Sequence, residues 1–164
     1  MSKAEKAVKL LAENKMTVTT VESCTGGMVC SSLVDVPGAS AVLNEAFVTY
    51  SNDAKKKLVG VKKSTLKKYG AVSAKCAKEM AKGAAAAAGA DVAVSTTGIA
   101  GPDGGSDEKP VGLVYIACFV KKKTVVKKFV FDGDRMQVRI SATKEAVKLL
   151  HKCLKKQTKE KGLK

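Results

Sequence analysis

Histidine is almost missing from this sequence: His151 stands alone in a lysine-rich C-terminal stretch, which leaves imidazole catalysis and histidine-ligated metal with little to build on. Aromatic residues make up only 4%, and no basic segment is interleaved with the stacking platforms that nucleic-acid-binding surfaces use. The five cysteines, Cys24, Cys30, Cys76, Cys118 and Cys153, are odd in number and lack paired CxxC or Cys/His spacing. Neither a disulfide framework nor a zinc site is indicated, so reduced thiols and no metal are expected. No apolar run, the alanine stretch at 84–88 included, approaches the ~20 residues of a membrane span, and no secretory signal opens the chain. A cytoplasmic protein with no membrane partner is expected. Arginine is also scarce, since Arg135 and Arg139 are the only two among 30 Lys and Arg residues.

What is present fits a single domain over residues 1–164, with 45% hydrophobic residues to supply a core. The net charge of +15 is compatible with anionic substrates or nucleic acid. Its spread over many separate lysine clusters reads instead as a solvated surface, and a nucleic-acid partner is not expected. Apolar spacing predicts a helix from Ala4 to about Asn14, strands over Met16–Val21 and Val42–Tyr50, and helices over Asn52–Val59 and Lys63–Lys68. A long alanine-rich helix capped by Ser73 follows and stops at Gly89; strands over Asp91–Thr96, Val111–Phe119 and Thr124–Phe131 come next. Asp134 caps a final helix to about Lys156, and a flexible tail is expected from about residue 157. Alternating strands and helices followed by a hairpin predict an α/β fold, a three-layer α/β/α domain with a mixed central sheet.

Two polar strand ends carry the chemistry. Val21-Glu22-Ser23-Cys24-Thr25-Gly26-Gly27 joins the first strand to a short apolar segment, Met28–Leu33, that can coil into a helix. This places nucleophile candidates beside helix N–H groups able to bind an oxyanion. Ser23 is the first candidate nucleophile, and an N-cap is its structural alternative. Thr25 is the better-placed cap if the helix begins at Gly26, and Cys24, alternating away from Ser23, packs inward. The second strand end, Ser95-Thr96-Thr97-Gly98, opens into a glycine-rich loop reaching Gly105 that matches neither a phosphate-binding P-loop nor a dinucleotide fingerprint. Such a backbone-rich loop suits ligand contact or a lid, against the alternative of a long surface connection.

With no suitable histidine, the base for a serine is a lysine whose pKa is lowered by burial or by neighbouring cations. Tyr50 and Lys55, at a strand end and a helix start, can project into the same mouth as Ser23; the alternative makes Lys55 one more surface lysine of Lys55-Lys56-Lys57. Arg135 and Arg139, four apart on one helix face, suggest bidentate recognition of a phosphate or carboxylate, or an ion pair with Asp132 or Asp134.

Taken together, Glu22-Ser-Cys-Thr-Gly-Gly, Asp35-Val-Pro-Gly-Ala-Ser, Val48-Thr-Tyr-Ser-Asn-Asp-Ala-Lys, Gly70-Ala-Val-Ser, Thr97-Gly-Ile-Ala-Gly-Pro-Asp-Gly-Gly and Gly133-Asp-Arg resemble the C-terminal domain family of the competence/damage-inducible protein CinA. The resemblance runs from about residue 4 to 152. Longer members carry an additional N-terminal domain that is not found in this sequence. The stand-alone form of the family is nicotinamide-nucleotide amidohydrolase, so the resemblance implies hydrolysis of nicotinamide mononucleotide (NMN) to nicotinic acid mononucleotide (NaMN) and ammonia, in pyridine nucleotide recycling. It implies no cofactor, a small-molecule nucleotide partner and a homo-oligomer. Ser23 would be the nucleophile, Lys55 its base, and Tyr50 a partner in proton transfer or positioning. Thr25, Gly26, Gly27, Thr97 and Gly98 would form substrate-binding elements, and an arginine of the last helix would hold ligand, Arg139 preferred over Arg135. The competing expectation is a member of the same fold that binds a nucleotide without hydrolysing it.

Overall fold

Four of the five residues of Val18-Thr-Thr-Val-Glu22 are β-branched or followed by β-branched neighbours, a composition that favours extended backbone. They form strand β1 (Val18–Glu22), buried along its whole length. In the computed structural model, which describes residues 1–162, β1 lies between β2 (Phe47–Val48) and β3 (Val92–Gly98), parallel to both. Strands β4 (Leu113–Val120) and β5 (Lys123–Val130) continue the sheet antiparallel, in the order β2-β1-β3-β4-β5. The expected mixed sheet is therefore present.

Helices cover both faces. Helices α1 (Lys3–Glu13), α2 (Met28–Val34) and α6 (Arg135–Gly162) close one core over Val18, Val94 and Ile116. On the other face α3 (Asn52–Val59), α4 (Lys63–Tyr69) and α5 (Ala74–Ala88) enclose a second core over Val21, Ala93 and Ala117. Polar caps set the helix starts: Ser51 accepts from the Ala54 amide at 3.0 Å, Ser73 from Cys76 at 3.2 Å, and Asp134 from Gln137 at 2.9 Å. No described helix is long and apolar enough to cross a membrane.

Two elements differ from the sequence-based expectation. The strand expected over Val42–Tyr50 shrinks to Phe47–Val48, because Ala39–Ala41 coils into a 3₁₀ turn and Val42 turns into the core. The Glu45 carbonyl is taken by the Thr19 hydroxyl at 2.8 Å. The last helix continues past Lys156 to Gly162, with Glu160 paired to Lys123 of β5 at 3.3 Å. The expected flexible tail is thus helical over 157–162, and residues 163–164 lie outside the described residues.

The α3–α5 seam positions the site, because α3 carries Lys55. A Cβ on Gly83 would stand 1.7 Å from the Val59 carbonyl oxygen at the end of α3. Gly83→Ala gains about 1 kcal/mol of helix propensity, yet it must push α3 away, which costs about 1–3 kcal/mol as overpacking. A lower midpoint in urea than wild type is expected, and an unchanged or raised midpoint would show that the seam yields freely.

Candidate active site

Because β1, β2 and β3 are parallel, their carboxyl ends emerge along one edge of the sheet, where α/β folds place ligand sites. Glu22 is opposite Val48 and Thr96 in register, and the Ser23 amide donates to the Thr96 carbonyl at 3.0 Å. The polar strand ends read from the sequence therefore share one cleft. Strand alternation then sorts the side chains. Glu22 is directed to the α2 side, Ser23 to the α3 side, and Cys24 back into the core under α2 and α6.

Ser23 meets Lys55 there. The Lys55 Nζ lies 3.1 Å from Ser23 Oγ, 2.7 Å from the Thr49 carbonyl and 3.4 Å from the Tyr50 carbonyl. Lys55 is 1% exposed, so the surface-lysine alternative fails. Among the described residues no carboxylate pairs with it. Burial pushes its pKa below the ordinary lysine value, an effect partly opposed by the thiols of Cys76 and Cys24. The two carbonyls can take two N–H groups of a neutral amine, leaving its lone pair for the Ser23 hydroxyl; an ammonium fits the same three contacts with the direction of the third reversed. The contacts place a buried amine within hydrogen-bonding reach of the Ser23 hydroxyl.

A cavity of about 290 Å³ opens beside the pair, lined by Ser23, Lys55, Tyr50, Thr97, Gly98 and Arg135 together with Ala71, Val72 and the first residues of the glycine loop. Its size is near the lower end of small-molecule sites. Thr97 donates to the Ala71 carbonyl at 2.8 Å and so fixes one wall against another. Gly98 sits so close to β4 that a Cβ would fall 2.6 Å from a Val114 methyl; it brings backbone to the cavity by close strand packing. Tyr50 is 63% exposed at the rim, and its hydroxyl accepts from Arg135 Nη2 at 3.0 Å. The Tyr50 hydroxyl is bonded to Arg135, and Lys55 reaches the Tyr50 carbonyl but not its hydroxyl.

Several expected roles change. The helix N–H groups expected to face an oxyanion are already occupied: the amides of Gly27, Val29 and Cys30 donate to the Glu22 carboxylate at 3.0, 3.0 and 2.8 Å. Thr25 is not the cap, since α2 begins after Gly27, whose φ of 104° suits glycine. The Thr25 hydroxyl donates to Glu22 at 2.6 Å and lies 2.7 Å from the Thr96 hydroxyl. Thr25, Gly26 and Gly27 therefore build the turn and do not line the cavity. Glu22 is a functional residue beyond those expected, and its signal in the sequence is a carboxylate ending an apolar strand just before a helix start.

The arginines also exchange places. Arg139 donates from Nε to the Cys24 carbonyl at 3.0 Å and from Nη2 to the Thr25 carbonyl at 3.2 Å, which commits it to the turn. Arg135 lines the cavity and donates to the Gly101 carbonyl at 2.8 Å. Of the two arginines, the one expected to hold ligand, Arg139, is thus not among the residues lining the cavity, whereas Arg135 is. Among the described residues neither arginine forms an ion pair with Asp132 or Asp134.

The sequence and the fold have known counterparts. The profile of the CinA C-terminal domain matches residues 1–154. A protein of Clostridium perfringens (strain 13) bearing the name competence-damage inducible protein is 55% identical over 148 residues, covering 90% of this chain and 36% of the relative. A CinA-like protein of Kosmotoga olearia is 51% identical over 150 residues, covering 92% and 36%. The chain thus spans about a third of the length of these curated relatives. Among solved structures, a CinA superfamily protein from Klebsiella pneumoniae 700603 superposes with a TM-score of 0.89 at 33% identity, covering 93% of this chain and 95% of that one. A competence/damage inducible protein from Agrobacterium tumefaciens gives 0.85 at 38% identity, covering 94% and 97%. Matched by profile, by sequence and by fold, the chain belongs to the CinA C-terminal domain family.

Proposed function

We propose that this domain is an amidohydrolase that converts NMN to NaMN and ammonia. The observation that carries the reading is the 3.1 Å contact between Ser23 Oγ and the buried, uncompensated amine of Lys55 at the cavity wall. A serine, a base of lowered pKa and an adjacent ligand-sized space are the parts that acyl transfer requires.

Ser23 Oγ attacks the carboxamide carbon while its proton passes to Lys55 Nζ. The carbonyl oxygen becomes an oxyanion, for which the Cys24 amide is the candidate donor. Among the described residues that amide has no oxygen acceptor and meets only its own thiol, and the residue after the nucleophile supplies this donor in other serine hydrolases built on strand-turn-helix elbows. Collapse of the tetrahedral species breaks the C–N bond, and the proton on Lys55 leaves with ammonia. Water, deprotonated by the same amine, then hydrolyses the Ser23 ester. Arg135 keeps N–H donors beyond those given to Gly101 and Tyr50, which supports a phosphate-bearing substrate. The Tyr50 hydroxyl, accepting from Arg135, has its own proton left to donate.

The test is incubation of the purified protein with NMN, following ammonia and NaMN. Stoichiometric release of both is expected; binding of NMN without ammonia would favour the non-hydrolysing alternative. Arg135→Ala should raise KM for NMN about 10- to 100-fold, the worth of a charge-assisted hydrogen bond, with a smaller change in kcat. An unaltered KM would remove Arg135 from the phosphate site.

A further inference from the structure

We propose that Glu22 is the positioning residue of the nucleophile: its carboxylate anchors the turn after β1 so that Ser23 Oγ is presented to Lys55. The inference rests on Ser23 being the reacting group, but not on which amide is the substrate.

Glu22 is fully buried and directly precedes Ser23. Four donors converge on its two oxygens. Oε2 accepts from the Thr25 hydroxyl and the amides of Gly27 and Val29, and Oε1 accepts from Cys30. A carboxylate offers about four acceptor sites and no donor, so it alone among side chains of this length satisfies the whole set. The positive end of α2 favours the charge. Thr25 and Gly27 of the turn, with Val29 and Cys30 of α2, are thereby fixed from one side. Arg139 fixes the turn from the other through the Cys24 and Thr25 carbonyls, and a Cβ on Gly26 would stand 3.3 Å from the Arg139 Nη2. Ser23 is the pivot between this clamp and the Lys55 amine. With the α2 amides consumed by Glu22, they serve to hold the nucleophile and not to bind an oxyanion.

Glu22→Gln tests this. Glutamine keeps the shape but brings an NH₂ group against a donor, either the Cys30 amide or the cluster on Oε2. Two readouts separate positioning from substrate choice. One is ammonia release from NMN; the other is labelling of Ser23 by a small sulfonyl fluoride, followed by intact mass. In the labelling step the Oγ–S bond forms, the S–F bond breaks, fluoride leaves and the serine proton passes to the Lys55 amine. Displacing a nucleophile by about 1 Å costs about 100-fold. The expected result is a folded Glu22→Gln protein whose labelling rate and kcat both fall about 100-fold, with KM nearly kept and the pH at which labelling rises unmoved.

A purely structural role would lower the melting temperature yet leave the labelling rate per folded molecule at the wild-type value, and that result overturns the proposal. Wild-type protein whose Ser23 resists labelling overturns both the proposal and the nucleophile assignment. Labelling that slows in Glu22→Gln while wild type releases no ammonia supports the proposal and removes only the substrate reading. Should Glu22→Gln fail to fold, Thr25→Val deletes one of the four donors and leaves the charge in place. A 5- to 10-fold slower labelling is then expected, about the worth of one hydrogen bond, and wild-type labelling in Thr25→Val overturns the proposal.

Discussion

Ser23→Ala should abolish ammonia release from NMN while leaving the fold intact. Removing the nucleophile of a serine hydrolase costs about 10⁶-fold in kcat where the group acts in concert with its base, so the residual rate should sink into the background. The structural cost is small. Ser23 Oγ is bonded to Lys55, and Lys55 keeps the Thr49 and Tyr50 carbonyls, so the loss is about 1 kcal/mol, that of one hydrogen bond. The backbone of residue 23 stays bonded to Thr96. Circular dichroism and NMN binding should therefore match wild type. Intact mass of wild type quenched during turnover should show an ester of the nicotinic acid moiety on Ser23, absent from the variant. Near-normal turnover by Ser23→Ala would dismiss acyl-enzyme chemistry at this site.

The pair of Ser23 and Lys55 was legible in the sequence because each residue follows a strand end and sits where a helix starts, and parallel strands bring such ends to one edge. Glu22 was not legible in the same way. A carboxylate at the end of an apolar strand reads as the point where the strand meets water, and only the return of α2 over β1 shows four donors closing on it. The arginines show another limit. Spacing of four puts Arg135 and Arg139 on one helix face but does not say which of them reaches the loops. Arg135 begins α6, level with Gly101 and Tyr50, whereas Arg139 is a turn further along, level with the turn after β1. The shortened β2 was hidden because Val42 and Leu43 have strand-like composition, yet beyond a single bridge from Leu43 to Val18 the chain leaves the ladder until Phe47. The end of α6 reads as a flexible tail because 157–162 is polar on all sides, and its pairing with β5 through Glu160 is a tertiary contact.

Lys55→Met should remove most of the activity together with its rise on the alkaline side, and should change how stability depends on pH. A base that must be neutral to accept the Ser23 proton works only above its own pKa, so wild-type kcat/KM climbs as pH rises through the lowered pKa of Lys55. Methionine has no proton to lose, and the loss of general-base help is about 10²- to 10⁴-fold. The stability consequence follows from the direction of the shift, which burial causes. Below the folded-state pKa both folded and unfolded chains hold the proton, and the buried ammonium is a cost. Between the lowered folded value and the unfolded value of 10.5 the unfolded chain binds more protons, so stability rises with pH by up to about 1.4 kcal/mol per unit. Above both values the penalty is gone. Subtracting the Lys55→Met curve from the wild-type curve should leave this upward slope, whatever the substitution costs through the freed Thr49 carbonyl. Urea midpoints of both proteins across the alkaline range measure it. Parallel curves, or a kcat/KM profile in Lys55→Met that keeps the wild-type limb, would show that the amine at this position is not the group that titrates.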